Sequence, residues 1–446
     1  MTRLAPSAPA APRPAPAGRR TVLFVAPQFP PSNLTAGHRT RLFVRHLPEF
    51  GYDPLVLSVR PDCYEERLDP GLEGLLPPGL EVVRTQALPT RPLRLVGDLG
   101  LRSFPFHLRE ILRVARRRRI DLLCLPIPPS YSSLLGPLVR RLCGVPYVID
   151  YIDPWVYPIT PDERKSWKAR LTHRLARLLE PLAVRGAAGL LGVAEGYYAG
   201  SLERHPHLRG RPTAAIPYGG EALDHEYVRR RGLRPALLDR PDLRGRSLVV
   251  YAGALLPRAH DTLRALLRAA RRCVESGAPG ADRMTLLFVG TGARPNDPDS
   301  GLVAPIAREC GADGFTVEVA ERQPYLDVLA LLHHAQAVLV LGSSEASYTA
   351  SKTFQALHSR RPVLALLHES SSASAVLREM PGVWLVGFRD DRPVGGCEQD
   401  IAAELARALA AGAGAVERPL GLLEKYSARE MSRRLAEFFD EVLRGR

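Results

Sequence analysis

Short apolar segments alternate with helical ones twice along this chain, and that alternation restricts the fold more than any other feature. In the first half, residues 21–26 (Thr-Val-Leu-Phe-Val-Ala) read as a buried strand. A loop through Pro30, Pro31 and Gly37 follows, then a helix to about Phe50. Further strands are expected at 54–59, 80–84, 120–125, 146–149 and 189–193, with helical patterns between most of them. A second start appears at 247–253, with a helix over about 259–276, a strand at 284–289 and the turn Gly290-Thr291-Gly292. Strands at 315–319, 337–341, 363–367 and 383–386 complete the series. Strands that alternate with helices imply parallel sheets covered by helices on both faces. The expected class is therefore α/β, with two doubly wound domains facing across a cleft. Ligands of such sheets bind outside the carboxyl ends of the strands. The loops after residues 26, 126, 149, 253, 289, 319 and 341 are thus the informative ones.

A length of 446 residues suits two such domains, and an apolar share of 45% is enough to give each a core. The expected division is a disordered Ala- and Pro-rich tail over 1–20, a first domain over 21–216, a linker over 217–246, a second domain over 247–420 and a terminal helix over 421–446. The linker carries Gly219, Gly220, Pro235 and Pro241 and lacks a strong period. The terminal helix places Leu423, Tyr426, Met431, Leu435 and Phe438 near one face, which needs a partner surface. Prolines interrupt the first twenty residues, so they do not read as a signal peptide. The longest apolar run, 328–341, is split by His333 and His334 and is too short to span a bilayer. Six scattered cysteines show no metal or redox spacing, which fits a reducing cytoplasm.

The formal net charge is +14. The composition, rich in Ala, Arg, Pro and Leu and poor in Lys, is that of a high-GC genome, and a solvated basic face is one reading. An anionic membrane surface is another. Arg109, Arg113 and Arg116 to Arg119 lie on one amphipathic stretch, and 164–185 forms a second with Leu171, Leu175, Leu178, Leu179 and Leu182. Each basic residue near an anionic bilayer contributes about 1 kcal/mol, so a few dock a protein reversibly on the inner membrane face. Nucleic acid is not an expected partner, because no aromatic-basic platform, zinc spacing or recognition helix accompanies the charge.

The stretch Tyr348-Thr349-Ala350-Ser351-Lys352-Thr353-Phe354-Gln355-Ala356-Leu357, followed by Arg361-Pro362-Val363-Leu364-Ala365-Leu366, reads as loop, helix, tight turn and buried strand. Thr349 and Ser351 are candidate caps, and Lys352 adds a full charge to the positive end of the helix. Such an end suits a phosphate or diphosphate. An ordinary capped helix with a surface lysine is the bland alternative.

With these segments in view, the chain resembles the GT-B glycosyltransferases, and within them the retaining family 4 group. The opening strand with Pro27, Gly37 and the helix into Gly51-Tyr52 is similar to that family's first unit. Ile216-Pro217-Tyr218-Gly219-Gly220 with Asp224 is similar to its hinge, Tyr251-Ala252-Gly253 through Pro257-Arg258 to the start of its donor domain, and the Lys352 segment to its nucleotide-sugar helix. The resemblance implies two Rossmann-like domains, the first binding a hydroxyl acceptor and the second a nucleoside-diphosphate sugar, with the terminal helix crossing back to the first. It implies no cofactor and no metal, the leaving diphosphate being neutralised by helix dipoles and by Arg258 and Lys352. It places Arg322 and Gln323 against the donor base, and Gly37, Gly253, Thr349, Ser351 and Gln355 around the donor. The chain departs from the family at Gln355 and Ser347, where two glutamates are usual, and at Ala259, where a basic residue is frequent.

On the acceptor side, Asp150-Tyr151-Ile152-Asp153-Pro154-Trp155 follows a strand. Asp153 is the candidate to orient or deprotonate the acceptor hydroxyl, with capping of the next element as the alternative. Gly37 lets backbone approach a ligand, and His38 follows it. His333 and His334 sit among leucines and read as packing. The expected activity is glycosyl transfer to a hydroxyl. A sugar-nucleotide epimerase and a non-catalytic binding subunit of the same fold are the rivals.

Overall fold

The computed structural model describes residues 18–90, 98–157, 166–294, 296–343, 351–412 and 414–445. Seven strands form the first sheet: β1 (Arg20–Val25), β2 (Tyr52–Val59), β3 (Glu81–Thr85), β4 (Leu122–Ile127), β5 (Tyr147–Tyr151), β6 (Gly189–Gly192) and β7 (Thr213–Ala215). Six form the second: β8 (Ser247–Ala252), β9 (Met284–Val289), β10 (Thr316–Val319), β11 (Ala337–Leu341), β12 (Val363–His368) and β13 (Val383–Phe388). The orders are β3-β2-β1-β4-β5-β6-β7 and β10-β9-β8-β11-β12-β13. Every ladder is parallel. Both sheets thus reverse their winding at the strand that opens them, and a crevice lies at the carboxyl ends of β1 and β4 in one and of β8 and β11 in the other.

The central strands are buried on both faces, as parallel strands under two helical layers must be, whereas β3, β7 and β10 at the sheet edges are only partly covered. β4, β9 and β12 are buried at every position. Two expectations shift. β1 begins at Arg20, inside the stretch expected to be tail, because Arg20 pairs with Tyr52 in register. β7 has only three residues, Thr-Ala-Ala, too few to show a period.

The segment between the sheets contains the helix Ala222–Arg231, whose Val228 packs with Leu329 and Ala330 of the helix Tyr325–His334. The terminal element is two helices, Leu420–Lys425 and Ala428–Arg444. Ser427 breaks them, its side chain capping the second by accepting from the Glu430 N–H. Leu423 and Tyr426 stay with the second sheet, whereas Met431, Leu435, Phe438 and Phe439 join the core of the first. At the break, Gly220 N–H donates to Tyr426 and its carbonyl accepts from Ala428 N–H. A Cβ on Gly219 or Gly220 would lie 2.9 Å from Ala428 N and 2.2 Å from His358, respectively. Glycine therefore permits this close crossing.

Of two buried arginines of the helix Thr35–His46, Arg39 braces the first lobe and Arg41 ties it to the crossing segment and the second lobe. Arg39 donates through Nε to Asp150 Oδ2 at 2.7 Å and through Nη1 to the Ile216 carbonyl at 2.8 Å. Arg41 makes a two-pronged pair with Asp224 at 3.0 and 2.6 Å, and Tyr325 of the second lobe donates to the same carboxylate at 2.9 Å. Burial alone would raise the Asp224 pKa, but Arg41 overcomes it and holds the carboxyl below its ordinary range. Removing one partner of a buried pair strands the other charge. Asp224→Ala is expected to destabilise the protein by about 3–5 kcal/mol, read as a lower urea midpoint with an unchanged slope.

Candidate functional site

The two crevices face each other across one cavity of about 360 Å³, whose walls come from both lobes. This falls within the range of small-molecule sites. The first lobe contributes Asn33, Thr35, His38 and Arg41 from the loop and helix after β1, and Ile152 and Asp153 from the turn after β5. The second contributes Gly253 and Ala254 after β8, Gly290 after β9, Arg322 and Gln323 after β10, and Ser351, Lys352 and Gln355. Tyr218 and Gly219 of the crossing complete the wall.

Lys352 opens the helix Lys352–His358 and reaches back under β8. Its ammonium sits 3.8 Å from the centre of the Tyr251 ring, donates to the Tyr251 hydroxyl and lies 3.5 Å from the Ala254 carbonyl. These partners are neutral. Burial therefore pushes its pKa down to about 7. A Cβ on Gly253 would stand 3.2 Å from that ammonium, and Gly253 has φ +126°, so glycine is required twice over.

Asp153 faces Lys352's lobe from the first lobe. Its carboxyl is open to the water of the cavity yet enclosed by both lobes, and this enclosure pushes its pKa up to about 6. His38 stacks on Tyr325 at 4.7 Å and bonds Asn33 at 2.8 Å. Burial, reinforced by Arg41, pushes its pKa down to about 3, so it is neutral near pH 7.

The structure brings Asp153, Lys352, Gly253, Ser351, Gln355, Arg322 and Gln323 to one cavity. It assigns some of them other partners. Arg322 donates to the Asn33 carbonyl, and the Gln323 carbonyl accepts from Asn33 Nδ2 at 3.2 Å, so both join the lobes at the cavity rim. Ser351 already has helical backbone angles and makes no capping bond. The helix it precedes has only seven residues, so the lysine charge outweighs any helix dipole. Gln355 bonds His225 at 2.7 Å. Gly37 is absent from the cavity wall, because a Cβ there would press on the Gln28 carbonyl at 3.2 Å; it serves chain packing. Arg258 lies in the turn Pro257–Ala259 and lines a separate cavity with His368 and Phe388. Thr349 lies outside the described residues.

Sequence reasoning missed Asn33, Arg41, Tyr197, Tyr218, Gly290 and Tyr325 as wall residues. Tyr218 and Gly290 had a signal, since each sits in a glycine turn already singled out. Arg41 and Tyr325 had none, because their pairing with Asp224 spans 183 and 101 residues.

Residues 35–219 match the family model described as Glycosyl transferase 4-like domain. No curated protein sequence matches the chain. Among solved structures, the chain is similar to a UDP-forming α,α-trehalose-phosphate synthase from Burkholderia xenovorans in complex with glucose-6-phosphate, with a TM-score of 0.61, 12% identity and coverage of 94% of this chain and 100% of that one. It is also similar to sucrose-phosphate synthase from Thermosynechococcus elongatus, with a TM-score of 0.58, 13% identity and coverage of 96% and 100%. A glycosyltransferase from Rickettsia africae ESF-5 gives a TM-score of 0.56, 12% identity and coverage of 96% and 100%. The protein therefore has the GT-B fold, and its residues 35–219 are similar to a glycosyl transferase 4-like domain.

A lysine whose folded pKa lies below its unfolded value of 10.5 costs stability while charged. The penalty is full below about pH 7 and is relieved as pH rises from there towards 10.5. Lys352→Met is expected to stabilise the protein by about 2 kcal/mol or more at pH 6, with a smaller gain at pH 9.5, measured by urea unfolding at both values.

Proposed function

We propose that the protein transfers a sugar from a nucleoside-diphosphate sugar to a hydroxyl acceptor, with retention at the transferred carbon. The observation that carries this reading is Lys352, a half-buried ammonium whose partners among the described residues are neutral, at the switch point of the second sheet and facing an interlobe cavity. A diphosphate placed there restores the counter-charge that burial has removed. As the bond from sugar carbon to phosphate oxygen breaks, negative charge grows on the leaving diphosphate, and a positioned cation in a partly dry site stabilises it. No metal is part of this reading.

Asp153 approaches from the first lobe. Ionised above about pH 6, it holds the acceptor hydroxyl by its hydrogen. In a retaining transfer the departing phosphate oxygen takes that proton, and the new carbon–oxygen bond forms on the face just vacated. Asp153 then orients the acceptor and is not an obligatory base. The match to a glycosyl transferase 4-like domain and the names of the similar structures reported above, a UDP-forming trehalose-phosphate synthase, a sucrose-phosphate synthase and a glycosyltransferase, support this class of reaction. A non-catalytic nucleotide-binding role is the second reading, favoured by the neutral Gln355 that is tied to His225.

We also propose that the protein works at an anionic membrane surface. On the helix Trp167–Val184, Trp167, Leu171, Leu178 and Leu182 are exposed, with Trp167 and Leu178 at 63% and 67%. Lys168, Arg170, Arg174 and Arg177 are exposed among them, and the single acidic residue of the helix, Glu180, is buried and paired with Arg204. The adjoining helix Leu135–Cys143 adds exposed Leu138 and Leu142 beside Arg140 and Arg141. Apolar rings and chains flanked by cations match the boundary of an anionic bilayer. Among the described residues no helix is long and apolar enough to cross a membrane.

Purified protein supplied with nucleotide sugars and hydroxyl acceptors is expected to turn over. Its kcat/KM should rise through about pH 6 as Asp153 ionises and fall above about pH 7 as Lys352 loses its proton. Lys352→Ala should lower kcat/KM by about 100-fold, Lys352→Arg should flatten the alkaline limb, and Asp153→Asn should remove the acidic one. Activity unchanged in Lys352→Ala would remove the site, and nucleotide binding without turnover would favour the second reading. For the membrane, flotation with vesicles containing phosphatidylglycerol should capture the protein at low salt. Trp167→Ser with Leu178→Ser should abolish capture while leaving turnover of a soluble acceptor intact.

A further inference from the structure

Three histidines from three elements meet beside the interlobe cavity. His225 lies on the helix Ala222–Arg231, His333 near the end of Tyr325–His334, and His358 ends Lys352–His358. His225 Nδ1 is 3.1 Å from His333 Nε2, and its Nε2 is 2.7 Å from the side-chain amide of Gln355. The His358 ring lies 5.6 Å from that of His225 and covers Gly220 of the crossing. Gln355 is the member of this set that lines the cavity.

The proton count of the chain His333–His225–Gln355 is informative. A neutral imidazole has one donor and one acceptor nitrogen. His225 stands between two partners, so it gives one hydrogen bond and takes the other. An amide satisfies either direction by turning its oxygen or its NH2 group to His225. A carboxylate can only accept. Whichever end of the amide meets His225, the opposite end is left for another partner, on a residue that lines the cavity, and it carries no formal charge.

The surroundings keep the chain neutral. Burial, and then the nearness of the other imidazoles, pushes the His225 pKa down to about 3. Burial with Arg229 and Arg361 takes His333 to about 4, and burial takes His358 to about 4. The charged or titratable groups facing the cluster are Asp224, Glu221 and Arg229 from the crossing side, and Arg360, Arg361, Arg418 and His334 from the second lobe.

We propose that His225, held by His333, is a positioning residue for the nucleotide sugar: it fixes the Gln355 amide at the cavity wall, where the free end meets an uncharged hydrogen-bonding group of the ligand such as a hydroxyl. The proposal rests on the nucleotide-sugar reading above. It also accounts for a glutamine at 355. A glutamate there would compel His225 to donate through Nε2 and would draw a proton onto the imidazole, charging a cluster that the fold keeps neutral.

The test is calorimetric titration of the full chain with UDP, GDP and ADP as probes, at pH 5.5 and pH 8. His225→Phe is expected to weaken binding of the preferred nucleotide about five- to tenfold, the loss of one positioned hydrogen bond. His225→Gln, which offers a hydrogen-bonding group near the Nε2 position, is expected to restore most of it. Gln355→Glu is expected to bind at least threefold more tightly at pH 5.5 than at pH 8 relative to wild type, because a protonated His225 then offsets the new carboxylate. Taking the ratio to wild type cancels the titration of the nucleotide's own phosphate. Circular dichroism melts of each variant separate a folding defect from a binding one. Wild-type affinity in His225→Phe, or a Gln355→Glu ratio equal to that of wild type, overturns the role of His225 while leaving the nucleotide reading in place. Failure of the wild-type protein to bind any of the three nucleotides overturns both.

Discussion

Asp224 is fully buried, and its carboxylate accepts from Arg41 of the first lobe and from Tyr325 of the second, with the helix between the sheets as its base. A charge taken out of water is tolerated only with a well-placed counter-charge, and here the counter-charge comes from a different lobe than the last hydrogen bond. The relative placement of the two sheets is therefore written into one ionic contact. Lesser bonds follow from it. Tyr325 N–H donates to Asp69 at 2.6 Å, and Asn33 reaches across to Gln323. The crevices at the carboxyl ends of both sheets face each other because these contacts hold them so.

Within that frame the cavity concentrates electrostatic cost. Among the described residues Lys352 meets an aromatic ring, a hydroxyl and a carbonyl, and Asp153 stands between the two lobes with its pKa raised. Several buried charges elsewhere are paired, as at Arg39 with Asp150 and Glu180 with Arg204. Buried groups left with displaced pKa values gather at working sites. Lys352 and Asp153 differ from those paired charges, and their meeting in one cavity makes it the candidate site.

Much of the architecture was legible because it depends on local pattern. Apolar runs such as 284–289 and 337–341 coincide with β9 and β11 residue for residue. Lys352 was legible because a lysine at the start of a helix after a buried strand has few structural duties. What escaped was non-local. Arg39 and Arg41 look like surface arginines on an amphipathic helix, and only the fold reveals that both are about 1% exposed. Asp150 and Asp153 stand three residues apart in one motif, yet the first is a structural counter-ion and the second lines the cavity. The single terminal helix expected from its apolar face is broken at Ser427, because the chain there must cross between lobes against Gly220. Arg258 looked equivalent to Lys352 in sequence, but the turn that carries it points to a different cavity.

The helix Ala428–Arg444 has a consequence for the order in which the molecule is made. Phe439 packs against Tyr52 and Phe24, and the Tyr52 hydroxyl donates to Asp440 across 388 residues. Chains emerge from the ribosome amino end first, and domains generally fold as units as they appear. The first sheet is synthesised early but keeps an uncovered apolar flank until the helix Ala428–Arg444 arrives, after the strands of the second sheet. The lobe whose strands emerge first is thus sealed only after those of the second lobe have been made.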